Sequence, residues 1–87
     1  MIKYKRRGEV LHAEVGDDVV ALHVDRGQSY GMENVTAAVW RMLAEPTDLE
    51  SICEALQQRY EVSPDTCRSE VGRLLERFES EGLVERV

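Results

Sequence analysis

Residues 10–32 alternate between apolar and polar positions as strands do. Val10, His12 and Glu14 interleave with Leu11, Ala13 and Val15 before the turn residues Gly16-Asp17-Asp18 interrupt the pattern. Val19-Val20-Ala21-Leu22-His23-Val24 follows; it is β-branched and apolar enough to be buried on both faces, as expected of a middle strand. Asp25-Arg26-Gly27 makes a second turn, in which Gly27 supplies the positive φ of a tight hairpin, and Gln28 to Met32 makes a short third strand. Together these segments predict an antiparallel meander.

From Asn34 the period changes to that of a helix. Val35, Ala38, Val39, Met42 and Leu43 form one apolar stripe, with Asn34 as the expected N-cap and Pro46 as the stop. A second helix is expected from Thr47, whose spacing to Glu50 is that of a capping box, with Leu49, Ile52, Cys53 and Leu56 on its inner face as far as Tyr60. Ser63 followed by Pro64 starts a third helix, striped by Cys67, Val71, Leu74, Leu75 and Phe78 and closed by Gly82 in a left-handed cap. The expected class is α+β: a three-stranded antiparallel sheet followed by three helices.

Length narrows the function. The chain has 87 residues, enough for one small domain and too few for a two-domain enzyme or a large internal active site. The formal charge of −6 is uneven: residues 1–8 carry Lys3, Lys5, Arg6 and Arg7 and no acid, whereas residues 9–87 carry all 17 acidic residues against seven arginines. We therefore expect a basic, solvated N-terminal tail over residues 1–8 and a single domain over 9–87 whose acidity disfavours nucleic acid. Two cysteines are too few for a disulfide scaffold, the longest apolar run, Val19 to Leu22, is far short of a membrane span, and no apolar signal segment follows the basic start, so the expected compartment is the reducing cytoplasm.

Catalytic and metal-binding sets are not evident. His12 and His23 lie on separate strands, and Cys53 and Cys67 lie on the apolar faces of two helices with thirteen residues between them, unlike the close pairs of zinc sites. Core-facing thiols also lack the electropositive, open setting of a nucleophile. No glycine-rich loop stands between a strand and a helix, so neither a cofactor nor a metal is expected.

The third strand is the unusual feature. Gln28-Ser29-Tyr30-Gly31-Met32 carries no charge and no proline, although a terminal strand exposes unpaired N–H and C=O groups that proteins usually guard. Ser29 and Gly31 are small on one face while Gln28, Tyr30 and Met32 share the other, an arrangement suited to a guest strand. On physics alone an equal reading is that Tyr30 and Met32 fill core and the edge is covered by the N-terminus or a second copy.

The order of these landmarks resembles the PqqD family of peptide-binding proteins, the leader-recognition elements of ribosomally made, modified peptides. Asp25-Arg26-Gly27, Tyr30, Met32-Glu33 and Ala37-Ala38-Val39-Trp40 are similar to its turn, Tyr-containing strand, Leu-Asn step and Ala-x-x-Ile-Trp helix; Glu33 departs from the usual Asn. Glu70-Val71, Leu74-Leu75, Phe78 and Gly82-Leu83 resemble its later pattern, so the similarity runs from about Val10 to Val84. The resemblance implies a winged helix-turn-helix-like arrangement that binds the leader region of a precursor peptide as an added strand, in the groove between the third strand and the third helix. Carried over position by position, Gln28, Ser29, Tyr30, Gly31 and Met32 present the pairing edge. Arg68, Val71, Gly72, Leu75, Glu76 and Glu79 form the facing helix wall, with Val71 and Leu75 as apolar pockets.

What the resemblance implies is a non-catalytic adaptor that hands its peptide to separate enzymes. The length and the Val-Trp-Arg-Met-Leu helix are similar to the discrete recognition proteins of lasso-peptide clusters, whose partners are a leader peptidase and a cyclase. The alternative is the pyrroloquinoline-quinone type, which delivers its peptide to a radical-SAM enzyme. Two readings of other classes compete. One is a winged-helix DNA-binding domain, disfavoured because Arg68, Arg73 and Arg77 are offset by Glu70, Glu76, Glu79 and Glu81; the other is a small structural subunit of a larger enzyme.

Overall fold

The computed structural model describes residues 1–87. The basic segment expected to be a solvated tail instead contains a strand, β1 (Lys3–Arg6). It is followed by β2 (Val10–Val15), β3 (Asp18–His23), β4 (Gln28–Met32), α1 (Asn34–Met42), β5 (Thr47–Asp48), α2 (Leu49–Arg59), α3 (Pro64–Ser80) and β6 (Val84–Arg86). The class is α+β, with three helices and two antiparallel three-stranded sheets ordered β2-β3-β4 and β5-β1-β6.

The β2-β3-β4 sheet is the expected meander. Val15 pairs with Asp18 across a two-residue loop in which Gly16 adopts φ 63°, so the loop turns without a steric penalty. The register continues with Val20 opposite Gly31 and Ala21 opposite Tyr30. One expectation fails: β3 is buried on one face only. Val19, Ala21 and His23 point inward, while Val20 and Leu22 remain 40% and 39% exposed, because no layer covers the outer face of the meander.

The second sheet was not expected. β1 pairs with β5 through Lys3–Asp48 and with β6 through Tyr4–Arg86, which draws the chain's two ends together beneath the helices. The reason the basic residues are not simply solvated is Arg6, whose guanidinium lies 5.2 Å from the Trp40 ring centroid and donates to Arg41 O. Burial lowers its pKa, with Glu14 opposing the effect. Trp40 itself is fully buried and meets Phe78 edge-on at 5.6 Å in a core of 18 apolar side chains drawn from both sheets and all three helices.

Two helix starts differ from expectation. The N-cap of α2 lies one residue beyond Thr47, at Asp48, which shares β5 with Thr47 and accepts from Ser51 N at 2.8 Å. α1 begins at Asn34, with Glu33 as an N-cap that makes no side-chain bond, and Asn34 adopts φ 51°, a left-handed conformation that Asn tolerates. That single residue turns the chain sharply from β4 into α1. α3 starts and ends as read: Ser63 Oγ accepts from Thr66 N with Pro64 in the first turn, and Gly82 closes the helix at φ 74°. Leu83 N–H donates to Phe78 O and Gly82 N–H to Glu79 O, the paired bonds of a Schellman cap.

A candidate peptide-binding edge and cavity

β4 pairs with β3 along one side, and its other side has no strand beside it in either sheet. Along that open edge Ser29 and Gly31 are exposed, Met32 is buried and Tyr30 is half-buried, its hydroxyl donating to Gln28 Oε1 at 2.8 Å. A Cβ built on Gly31 would meet no atom within 4 Å, so packing does not demand glycine there; the missing side chain leaves the backbone clear for approach.

Both ends of β4 are tied to α3 or to what α3 packs against. At its start, Arg26 in the preceding turn donates to Ser80 O at 3.4 Å, near the end of α3. At its finish, the chain turns through Asn34 into α1, whose Val35 and Thr36 line a cavity of about 410 Å³ against α3. Leu56, Tyr60, Val62, Val71 and Leu74 supply its apolar wall. Glu70, Arg73 and Arg77 line it as well, all three exposed to solvent.

Of the six helix residues carried over from the family resemblance, Val71 is the one that lines this cavity. Arg68 pairs with Glu50 at 3.1 Å and Glu79 with Arg86 at 2.8 Å, on the opposite flank of the α3 stripe, toward α2 and the β5-β1-β6 sheet. Leu75 is a core residue at 2% exposure, Glu76 is exposed, and Gly72 is half-buried with open space around its Cα. The cavity residues that sequence reasoning missed lie one helical step the other way: Glu70, Leu74 and Arg77 on α3, met by Tyr60 and Val62 from the connection after α2. Leu74 was visible as part of the apolar stripe, but its flank could be chosen only once α1 and α2 were packed.

Cys67 lines this cavity and Cys53 lies beside it. Cys67 Sγ–H donates to Cys53 O at 4.0 Å, both residues are buried and unbridged, and burial pushes the Cys53 thiol up to about 11. At neutral pH it stays protonated, whereas a thiolate would be needed for attack or metal ligation. No cluster of three or more His, Cys, Asp or Glu side chains is placed to hold a metal ion. No helix is long and apolar enough to cross a membrane. The chain thus offers two separate features suited to an extended peptide: unpaired backbone groups along an uncharged strand edge, and an apolar cavity against α3 that can take side chains.

Comparison with known proteins gives the same direction. Residues 18–84 match the family described as coenzyme PQQ synthesis protein D (PqqD). The solved structure of TbiB1 in complex with the TbiA(beta) leader peptide superposes with a TM-score of 0.88 at 28% identity, covering 93% of this chain and 94% of that one. A lasso peptide synthetase B1 complexed with the leader peptide superposes with a TM-score of 0.84 at 17% identity over 94% of this chain and 96% of that one, a likeness of fold. No curated protein matches the chain.

Proposed function

Because the chain belongs to the PqqD family, we propose that it is a non-catalytic recognition protein that binds the leader region of a ribosomal precursor peptide and presents the peptide to separate modification enzymes. The observation that carries this reading is the open, uncharged edge of β4, which leads through Asn34 into Val35 and Thr36 of α1 on the wall of an apolar cavity against α3. The 28% identical TbiB1, matched over nearly its whole length, is itself a leader-peptide complex, which supports the same reading.

In this proposal the leader adds as a strand along Gln28, Ser29, Tyr30, Gly31 and Met32, and its apolar side chains enter the cavity beside Val71. Gly72, Leu75 and Glu76, together with the already paired Arg68 and Glu79, complete the face of α3 inferred from the family resemblance. We read α2 and α3 as the helix pair of a winged helix-turn-helix-like arrangement in which α3 serves as a wall for peptide. The pathway we assign is the lasso type, in the cytoplasm, with a leader peptidase and a cyclase as partners and no nucleic acid. Holding the leader raises the effective concentration of the core peptide at those enzymes, so catalysis is not asked of this chain.

Isothermal titration with the leader of its cognate precursor peptide is expected to give a submicromolar Kd, about −8 to −11 kcal/mol. Amide exchange followed by NMR then tests the mode: alternate β4 amides, those facing the open edge, gain protection in the complex. Binding that leaves every β4 amide unchanged overturns strand addition, and no binding overturns the recognition role.

A further inference from the structure

Arg73 and Arg77 line the cavity, yet neither guanidinium takes part in an ion pair or a side-chain hydrogen bond, whereas Arg7, Arg41, Arg68 and Arg86 each hold a carboxylate within 3.2 Å. The two stand at i and i+4 on α3, where like charges oppose the helix. A third cation stands nearby: the Arg59 guanidinium lies 5.8 Å from the centroid of Tyr60, which forms part of the cavity wall. Glu70 is the one acid on the lining. The lining is therefore locally cationic on a chain whose formal charge is −6.

We propose that this cavity selects for a carboxylate. Its preferred occupant is a peptide segment in which an apolar side chain filling the wall between Val35, Leu56 and Val71 is followed or preceded, within a few residues, by an Asp or Glu held by Arg73 and Arg77. This specificity rests on the leader-recognition reading and adds the chemical class of leader the site takes. Glu70, Glu76 and Glu81 stand one helical turn from Arg73 or Arg77, yet none of them pairs with either guanidinium. Exposed neighbours of that kind contribute little, while a carboxylate in contact with two guanidiniums gains charge-assisted, bidentate hydrogen bonds. Arginine's planar fork suits that geometry.

The test uses the folded full chain and an mRNA-displayed library of random 20-residue peptides, selected in parallel on the wild type, on Arg73→Gln/Arg77→Gln and on Arg73→Glu/Arg77→Glu. Both side chains are exposed, so thermal melting is expected to confirm that the variants fold. The expected result is enrichment of Asp or Glu beside an apolar residue on the wild type, loss of that enrichment on the Gln pair, and a switch to Lys or Arg on the Glu pair. Peptides selected on the wild type should lose about tenfold in affinity on the Gln pair and weaken as salt rises. Peptides enriched without acidic preference, or with the same preference on all three proteins, overturn the carboxylate specificity and leave leader recognition standing. No enriched peptide on any of them overturns both.

Discussion

Gly82 carries two constraints at once. Its φ of 74° is left-handed, and a Cβ there would lie 3.0 Å from His23 Nε2. Gly82→Ala is therefore expected to lose more than the about 1–2 kcal/mol of a left-handed alanine, read as a lower urea midpoint with an unchanged slope. Gly72 is the opposite case: nothing lies within 4 Å of a Cβ built there, and the residue sits in the middle of α3. Gly72→Ala is expected to raise stability by about 0.5–1 kcal/mol in the same measurement. If leader affinity falls while stability rises, Gly72 touches the bound peptide; unchanged affinity places it outside the groove. At this scale the chain was highly legible, because caps and glycines act within a few residues. Ser63, Pro64 and Gly82 announced both ends of α3, whereas the cap of α2 fell one residue later than read, on Asp48, whose carboxylate accepts from Ser51 N.

The elements that were legible are those with enough residues to show a period. β4 and the three apolar helix stripes could be read because burial repeats along them. β5 and β6, two and three residues long, have no period to read, and β1 is a charged segment that becomes a strand only because distant segments pair with it. Asp48 links the two scales: it caps α2 and lies opposite Lys3 of β1. Its carboxyl is held below the ordinary value of 3.8 chiefly by the Ser51 N–H, with Lys3 adding to the effect. A lowered folded-state pKa means that its stabilisation is complete above the ordinary value and is lost as pH falls through the folded one. Asp48→Asn keeps a capping acceptor without a charge, so the wild type's advantage in Tm at pH 6 is expected to shrink below about pH 4 and vanish in stronger acid. An advantage that persists there would mean that Asp48 acts through shape alone.

For the whole molecule, the N-terminus is structural. β1 joins β5 to β6, Arg6 N–H donates to Leu43 O, Arg7 N–H donates to Leu83 O, and Arg6 lies over the fully buried Trp40. Removing residues 1–7 is expected to red-shift Trp40 fluorescence and to cost at least about 2 kcal/mol, since backbone hydrogen bonds contribute roughly 1 kcal/mol each. A truncated protein with unchanged emission and stability would restore the view of a solvated tail. The placement of the site belongs to this scale too. The sequence by itself determined the α+β class, the meander, the three helices with the caps of the third, and the uncharged third strand, because each is written in local periodicity and local hydrogen bonding. Only the tertiary structure decided that the outer face of the meander is bare, that the two chain ends meet in a second sheet, and that the cavity lies on the Glu70–Leu74–Arg77 flank of α3. An apolar stripe states that a helix is buried along one line; which flank of that line stays open depends on where the neighbouring helices come to rest, and that is settled by packing between residues far apart in the chain.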